Sequence, residues 1–210
     1  MYKANFDFFN EINTEEKAYW LGFILADGYI NSRDNTVGIE LKSTDIDHLL
    51  KFKKDIEAEH PVKIFHKNST FGEQDNCRIV ITNKSIKSDL LNLGLTTTKS
   101  KDGILPNIYG NYTNHMIRGY FDGNGCISTE YRKEYQYIQL SFCGTKEITN
   151  KIEEISGFEW CHYDRFPNRN NNNDAILTGK QKESKNFLNW MYNGSHIYLD
   201  RKYEKYKNVW

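Results

Sequence analysis

Two short stretches of this 210-residue chain carry side chains that could do chemistry. One ends in Ala26-Asp27-Gly28 and the other in Gly123-Asn124-Gly125, and Asp27 and Asn124 stand 97 residues apart at the same place in two similar apolar segments. A carboxylate and an amide carbonyl are hard oxygen donors, and such donors suit a divalent cation such as Mg²⁺. Metal held at such a pair can bridge a scissile phosphate and stabilise both its attacking and its leaving oxygen. The two copies are not equivalent. Asn124 lacks the charge of Asp27 and would hold a cation more weakly. Asp122 cannot stand in for it, because two residues along a helix is about 200° around it.

The elements that must position this pair follow from spacing. Thr14 is a candidate N-cap with Glu15 and Glu16 behind it, opening a helix that runs to about Asp27 and ends at Gly28. Gly22 and Ala26 are four residues apart, as are Gly119 and Gly123. Such pairs leave one helix face nearly flat, so two such helices can approach closely and bring Asp27 and Asn124 together. Either pair alone is no more than small residues in a core helix; the match between copies argues for a helix interface.

After Gly28, Thr36–Lys42 alternates as a strand, and Thr44-Asp45 opens a second helix. Strands are expected at Val62–Lys67 and Cys77–Thr82, then a helix capped by Ser85 and ended by Gly94. The order restarts at the second motif helix, about Thr113–Phe121. Strands follow at Cys126–Glu130 and Tyr135–Phe142, a helix at Thr145–Ile155, strands at Phe158–Arg165 and Ala175–Lys180, a helix at Ser184–Tyr192 and a basic aromatic tail. The reading is α+β: two pseudo-symmetric αββαββα halves, each an antiparallel sheet with helices on one face. The halves are expected at residues 1–100 and 113–210, joined by a linker at 101–112.

Hydrophobic residues make up 38% of the chain and aromatics 14%, enough for a core, so global disorder is excluded. Net charge is zero, so composition gives no global argument for nucleic acid. There is no CxxC pair, HxxxH, HExxH or GxSxG motif, which argues against zinc fingers, zinc hydrolases and serine hydrolases. Cys77, Cys126, Cys143 and Cys161 read as buried small hydrophobes. No signal peptide and no 18-residue apolar run is visible, so no membrane partner and a soluble chain in the cytoplasm, or in an organelle, are expected.

Ala18-Tyr19-Trp20-Leu21-Gly22-Phe23-Ile24-Leu25-Ala26-Asp27-Gly28 and Ile117-Arg118-Gly119-Tyr120-Phe121-Asp122-Gly123-Asn124-Gly125-Cys126-Ile127 resemble the two motifs of single-chain LAGLIDADG homing endonucleases. Leu93–Ser100 and Ile197–Lys205 resemble the ends of the two halves. The resemblance implies a monomer that binds a long, specific target in double-stranded DNA and cleaves it with Mg²⁺ or another divalent cation. It places metal at Asp27-Gly28 and Asn124-Gly125, and makes Lys99 and Lys202 the paired basic residues of a site whose catalytic members are Asp27, Asn124, Lys99 and Lys202. Asn124 stands where the pattern has an acid, which leaves reduced cleavage, nicking, or binding alone on a maturase- or regulator-like protein as open outcomes. No intein splicing residues flank the motifs, so a free-standing or intron-encoded homing protein is expected.

If the sheets lie on DNA, alternation puts Glu40, Lys42, Lys63, Lys67, Arg78, Thr82, Tyr137, Gln139 and Ser141 on the outward faces. Arg and Lys can address guanine, Gln adenine and Glu cytosine. Arg165 and Lys180, with Arg132, Lys133 and Arg169, would reach phosphates from strand ends and loops, as would Arg201, Lys205 and Lys207 in the tail.

Overall fold

A computed structural model describes residues 2–69, 72–108, 111–132, 135–164, 173–178 and 181–209. Helix α1 (Glu15–Asp27) starts where Thr14 Oγ1 accepts the amide of Lys17 at 3.3 Å, as the sequence predicts. It passes straight into β1 (Gly28–Ile30), which pairs with β2 (Thr36–Lys42). A 3₁₀ turn (Ser43–Asp45) leads into α2 (Ile46–Asp55), then β3 (Lys63–Ser69), β4 (Gly72–Thr82) and α3 (Lys84–Asn92). The cap of α3 is Asn83, whose side chain accepts the Ile86 amide, and not Ser85.

A short helix, α4 (Lys99–Asp102), precedes the second motif helix α5 (Thr113–Asn124). The second unit continues with β5 (Gly125–Arg132), β6 (Tyr135–Thr145), α6 (Lys146–Ser156), β7 (Cys161–Tyr163), β8 (Asn173–Leu177) and α7 (Gln181–Tyr192). The stretch read as a tail forms a further helix, α8 (Asp200–Lys207). Its Tyr206 packs into the core, a contact that spacing within eight residues does not reveal.

Both sheets are antiparallel and share one topology: β1-β2-β4-β3 and β5-β6-β8-β7. Their inner faces carry Val37, Ile39, Leu41, Ile79 and Ile81 in the first, and Ile127, Ile138, Leu140 and Phe142 in the second, all buried. This alternation is what a sheet with one face on helices requires. The duplication is therefore real at the level of the fold.

The two units meet at α1 and α5. A Cβ added at Gly22 would lie 1.9 Å from the Met116 carbonyl oxygen, and one at Gly119 would lie 1.9 Å from that of Tyr19. These four positions form two pairs related by the same 97-residue offset, so the contact is a pseudo-two-fold one. No side chain fits where backbone meets backbone, and that is why glycine occupies both positions. Ala26 and Gly123 close the junction further down, where a Cβ on Gly123 would lie 2.3 Å from that of Ala26.

Candidate active site and nucleic-acid interface

The motif helices end alike. Gly28 and Gly125 are extended (φ −75°, ψ 174° and φ −94°, ψ 165°), and their amides donate to Ile24 O and Phe121 O. Neither helix closes on a left-handed glycine. Each runs directly into the first strand of its sheet, which sets Asp27 and Asn124 at the edge between helix layer and sheet layer.

Asp27 is partly buried, and its carboxyl carbon lies 3.4 Å from where a Cβ on Gly123 would stand. Burial raises its pKa above the usual carboxylate value, and the charges of Lys99, Lys202 and Arg201 hold the rise in check. Asn124 lines a cavity of about 210 Å³ with Ala26, Lys99, Tyr120, Cys143 and Thr145. The Tyr120 hydroxyl donates to the Cys143 carbonyl at 2.8 Å; burial raises its pKa, and the nearby Asn124 side chain acts in the opposite direction. The proton of Tyr120 is thus already committed, so its oxygen can only accept.

Lys99 and Lys202 occupy equivalent places. Lys99 Nζ donates to Ile24 O at 3.1 Å and to Ala26 O. Lys202 Nζ donates to Phe121 O, to Asp122 O at 2.7 Å and to Gly125 O at 2.6 Å. Each lysine bonds carbonyls at the C-terminus of a motif helix, where a cation is favoured by the helix dipole. Burial pushes both pKa values down to about 8, against the raising effect of Asp27 on Lys99 and of Asp122 on Lys202. Sequence reasoning found these lysines but not their contacts, which span 73 to 81 residues.

Two further groups escaped the sequence reading. Arg118 is fully buried, with Nη2 on Glu15 Oε1 (2.7 Å), Nε on Ile197 O (2.9 Å) and Nη1 on Met191 O (2.7 Å). Asp122 is also fully buried, accepting from Tyr19 (2.7 Å), the Leu199 amide (2.8 Å) and Tyr192. Since Tyr19 donates to Asp122, it accepts from His48 Nε2 at 3.0 Å. Burial, with nearby lysine and arginine charges, lowers the His48 pKa to about 3, so the ring is neutral. A charged residue inside an apolar helix pattern is the one sequence signal for Arg118 and Asp122.

The residues present fit a divalent cation in a limited sense. Among the described residues, no group of three or more His, Cys, Asp or Glu converges. Asp27 and Asn124 supply two oxygens, which is what Mg²⁺ takes where waters and phosphates complete its shell. The Gly125 carbonyl is already bonded by Lys202, and the Gly28 amide closes α1.

Register settles the outward faces. Glu40 pairs with Arg78, and Arg78 with Lys63; Lys42 pairs with Asn76, Lys67 with Gln74, and Thr36 with Thr82. Glu40, Lys42, Lys63, Lys67, Arg78 and Thr82 therefore share one face. In the second sheet Glu130 pairs with Tyr137, Ser128 with Gln139 and Cys126 with Ser141, so Tyr137, Gln139 and Ser141 share the other. Arg165 and Lys180, with Lys133 and Arg169, lie outside the described residues. The tail charges are engaged within the protein: Arg201 with Asp45 at 3.1 Å, Lys205 with Ile127 O at 3.1 Å and Lys207 with Glu204 at 2.7 Å. Cys77 is buried, but Cys126 and Cys161 are exposed, because strand parity turns Cys126 to the outward face and β7 is exposed throughout. No helix among the described residues is long and apolar enough to cross a membrane.

Solved structures share this architecture. The homing endonuclease I-WcaI bound to its DNA recognition sequence superposes with a TM-score of 0.63 at 16% identity, covering 94% of this chain and 89% of that one. The LAGLIDADG homing endonuclease I-LtrWI bound to target DNA gives 0.58 at 15% identity, covering 98% and 90%. The meganuclease I-SmaMI bound to uncleavable DNA gives 0.61 at 10% identity, covering 91% and 88%. Comparison with protein-family models and with curated proteins gives no sequence match. The chain has the fold of the LAGLIDADG homing endonucleases.

Proposed function

We propose that this protein is a site-specific endonuclease of double-stranded DNA that works with a divalent cation, residues 1–100 and 113–210 each addressing one half of a long target. The observation that carries the proposal is the junction itself. Two helices packed backbone to backbone end in Asp27 and Asn124 and open at once into two sheets with polar outward faces. A two-stranded β-ribbon fits the major groove of DNA, and such a junction would face the backbone between two half-sites.

A bound Mg²⁺ would supply Lewis acidity at the scissile phosphate and an activated water. The chain's own groups do the rest. Of the two motif-end residues only Asp27 is acidic, so it dominates cation affinity. Asn124 lines the cavity beside Lys99 and offers a neutral carbonyl. Lys99 and Lys202 fix the helix ends and place positive charge beside the phosphate. Because Asn124 is neutral, nicking of one strand, or binding alone as in a maturase or regulator, is the second reading.

The test is selection of binding sites from random duplex DNA, followed by incubation of those sites with Mg²⁺. Strand cutting that Asp27→Asn lowers by more than about 100-fold, and Asn124→Ala lowers less, is the expected result. Cutting that survives Asp27→Asn sinks the assignment. Binding should weaken steeply with salt; flat salt dependence counts against DNA as the partner.

A further inference from the structure

The outward face of the first sheet is not a uniform set of cations. Lys67 reaches across β4 to Glu40, with Nζ 2.8 Å from Oε1, and Asn76 Nδ2 donates to the same oxygen at 2.9 Å. Partial burial raises the Glu40 pKa, but these hydrogen bonds outweigh it and keep the group ionised. Lys67 and Glu40 therefore offset each other. Arg78 is treated differently. It is exposed, and its guanidinium carbon sits 4.8 Å from the centroid of the Phe65 ring, one cross-strand step away. Glu40 lies directly opposite it on β2 and Lys63 on β3. Tyr29 covers Gly38 in the adjoining row, closing the patch on that side.

Resting on the endonuclease reading, we propose that Arg78 is the specificity-determining residue of the first sheet and that it reads a guanine in the major groove. A guanidinium donates two parallel hydrogen bonds to guanine O6 and N7 and to no other base edge in that way. Contact with the Phe65 ring restrains the guanidinium, so less freedom is lost on binding. Lys67 is tied to Glu40 and is not a base reader.

The experiment selects duplexes from a random pool with the wild-type chain and with Arg78→Ala, Arg78→Lys and Phe65→Leu. The expected wild-type pool carries a guanine at one position, favoured about 5- to 150-fold over other bases. Arg78→Ala loses that preference while other positions keep theirs, Arg78→Lys keeps a reduced one because lysine also addresses guanine, and Phe65→Leu weakens it at the same position. Arg78→Lys keeps the charge, so it separates base reading from phosphate attraction. An Arg78→Ala pool with the guanine retained, or an Arg78→Lys pool with the preference undiminished, overturns this inference and leaves the DNA reading standing. A wild-type chain that enriches no sequence overturns both.

Discussion

The two motif helices are alike in backbone and unlike in side chains. Gly22 and Gly119 make the same close approach from opposite sides, and Lys99 and Lys202 cap equivalent carbonyls. Yet where α1 carries Leu21 and Leu25, α5 carries Arg118 and Asp122. The leucines pack into an apolar core. The arginine and aspartate instead bind Glu15, Tyr19, Met191, Tyr192, Ile197 and Leu199. The second helix therefore pins the first helix and the segment leading into α8, which carries Lys202. Apolar packing alone has no fixed direction, whereas hydrogen bonds to named carbonyls and amides do. The asymmetry at Asp27 and Asn124 is thus one of several, all on a symmetric backbone.

This comparison can be broken most sharply at Arg118. Removing its guanidinium leaves Glu15 partly buried without its arginine partner and two carbonyls without donors, so Arg118→Met should cost about 3–5 kcal/mol. Urea unfolding measures it; Leu21→Met, its counterpart, should cost under about 1.5 kcal/mol. Equal losses at the two positions would remove the distinction drawn between the helices.

Gly119→Ala and Gly22→Ala each drive a methyl group into backbone and should each destabilise by about 3 kcal/mol, at the upper end of overpacking costs. A midpoint unchanged in either variant would mean that the helices are not in backbone contact there.

Lys202 gives a pH signature. Its folded pKa of about 8 lies below the ordinary lysine value of 10.5, so the unfolded chain takes up the proton first as pH falls. The penalty on the folded state grows from pH 10.5 down to 8 and is complete below that. Relative to Lys202→Met, the wild-type chain should gain up to roughly 3 kcal/mol as pH rises through this window. A constant difference between the two proteins across the window contradicts a buried lysine.

Ala26→Gly is the mildest probe. It makes the small-residue pair of α1 match Gly123 and should cost about 1 kcal/mol through helix propensity, without moving the junction. A larger loss would show that the Ala26 methyl group fills the junction more tightly than its surroundings suggest.

Much of the local structure is legible in the residues. Thr14 caps α1, Thr36–Lys42 forms β2 at the bounds that alternation predicts, and every outward-facing candidate that the structure describes lies on the outward face. Less was legible where signals are short or shared. Three residues of β1 carry no period, Asn83 and Ser85 compete for one cap, and α8 reads as a charged tail because its apolar contacts are with distant parts of the chain.

Residue order alone sets most of the elements, their duplication and the inequality of Asp27 and Asn124, because periodicity and residue type are local properties. Only the tertiary structure decided what surrounds those two residues. Lysines from more than 70 positions away close the helix ends, and Phe65 singles out Arg78 among the cations of its sheet. Such partners are fixed by packing across the fold, and no spacing along the chain encodes them.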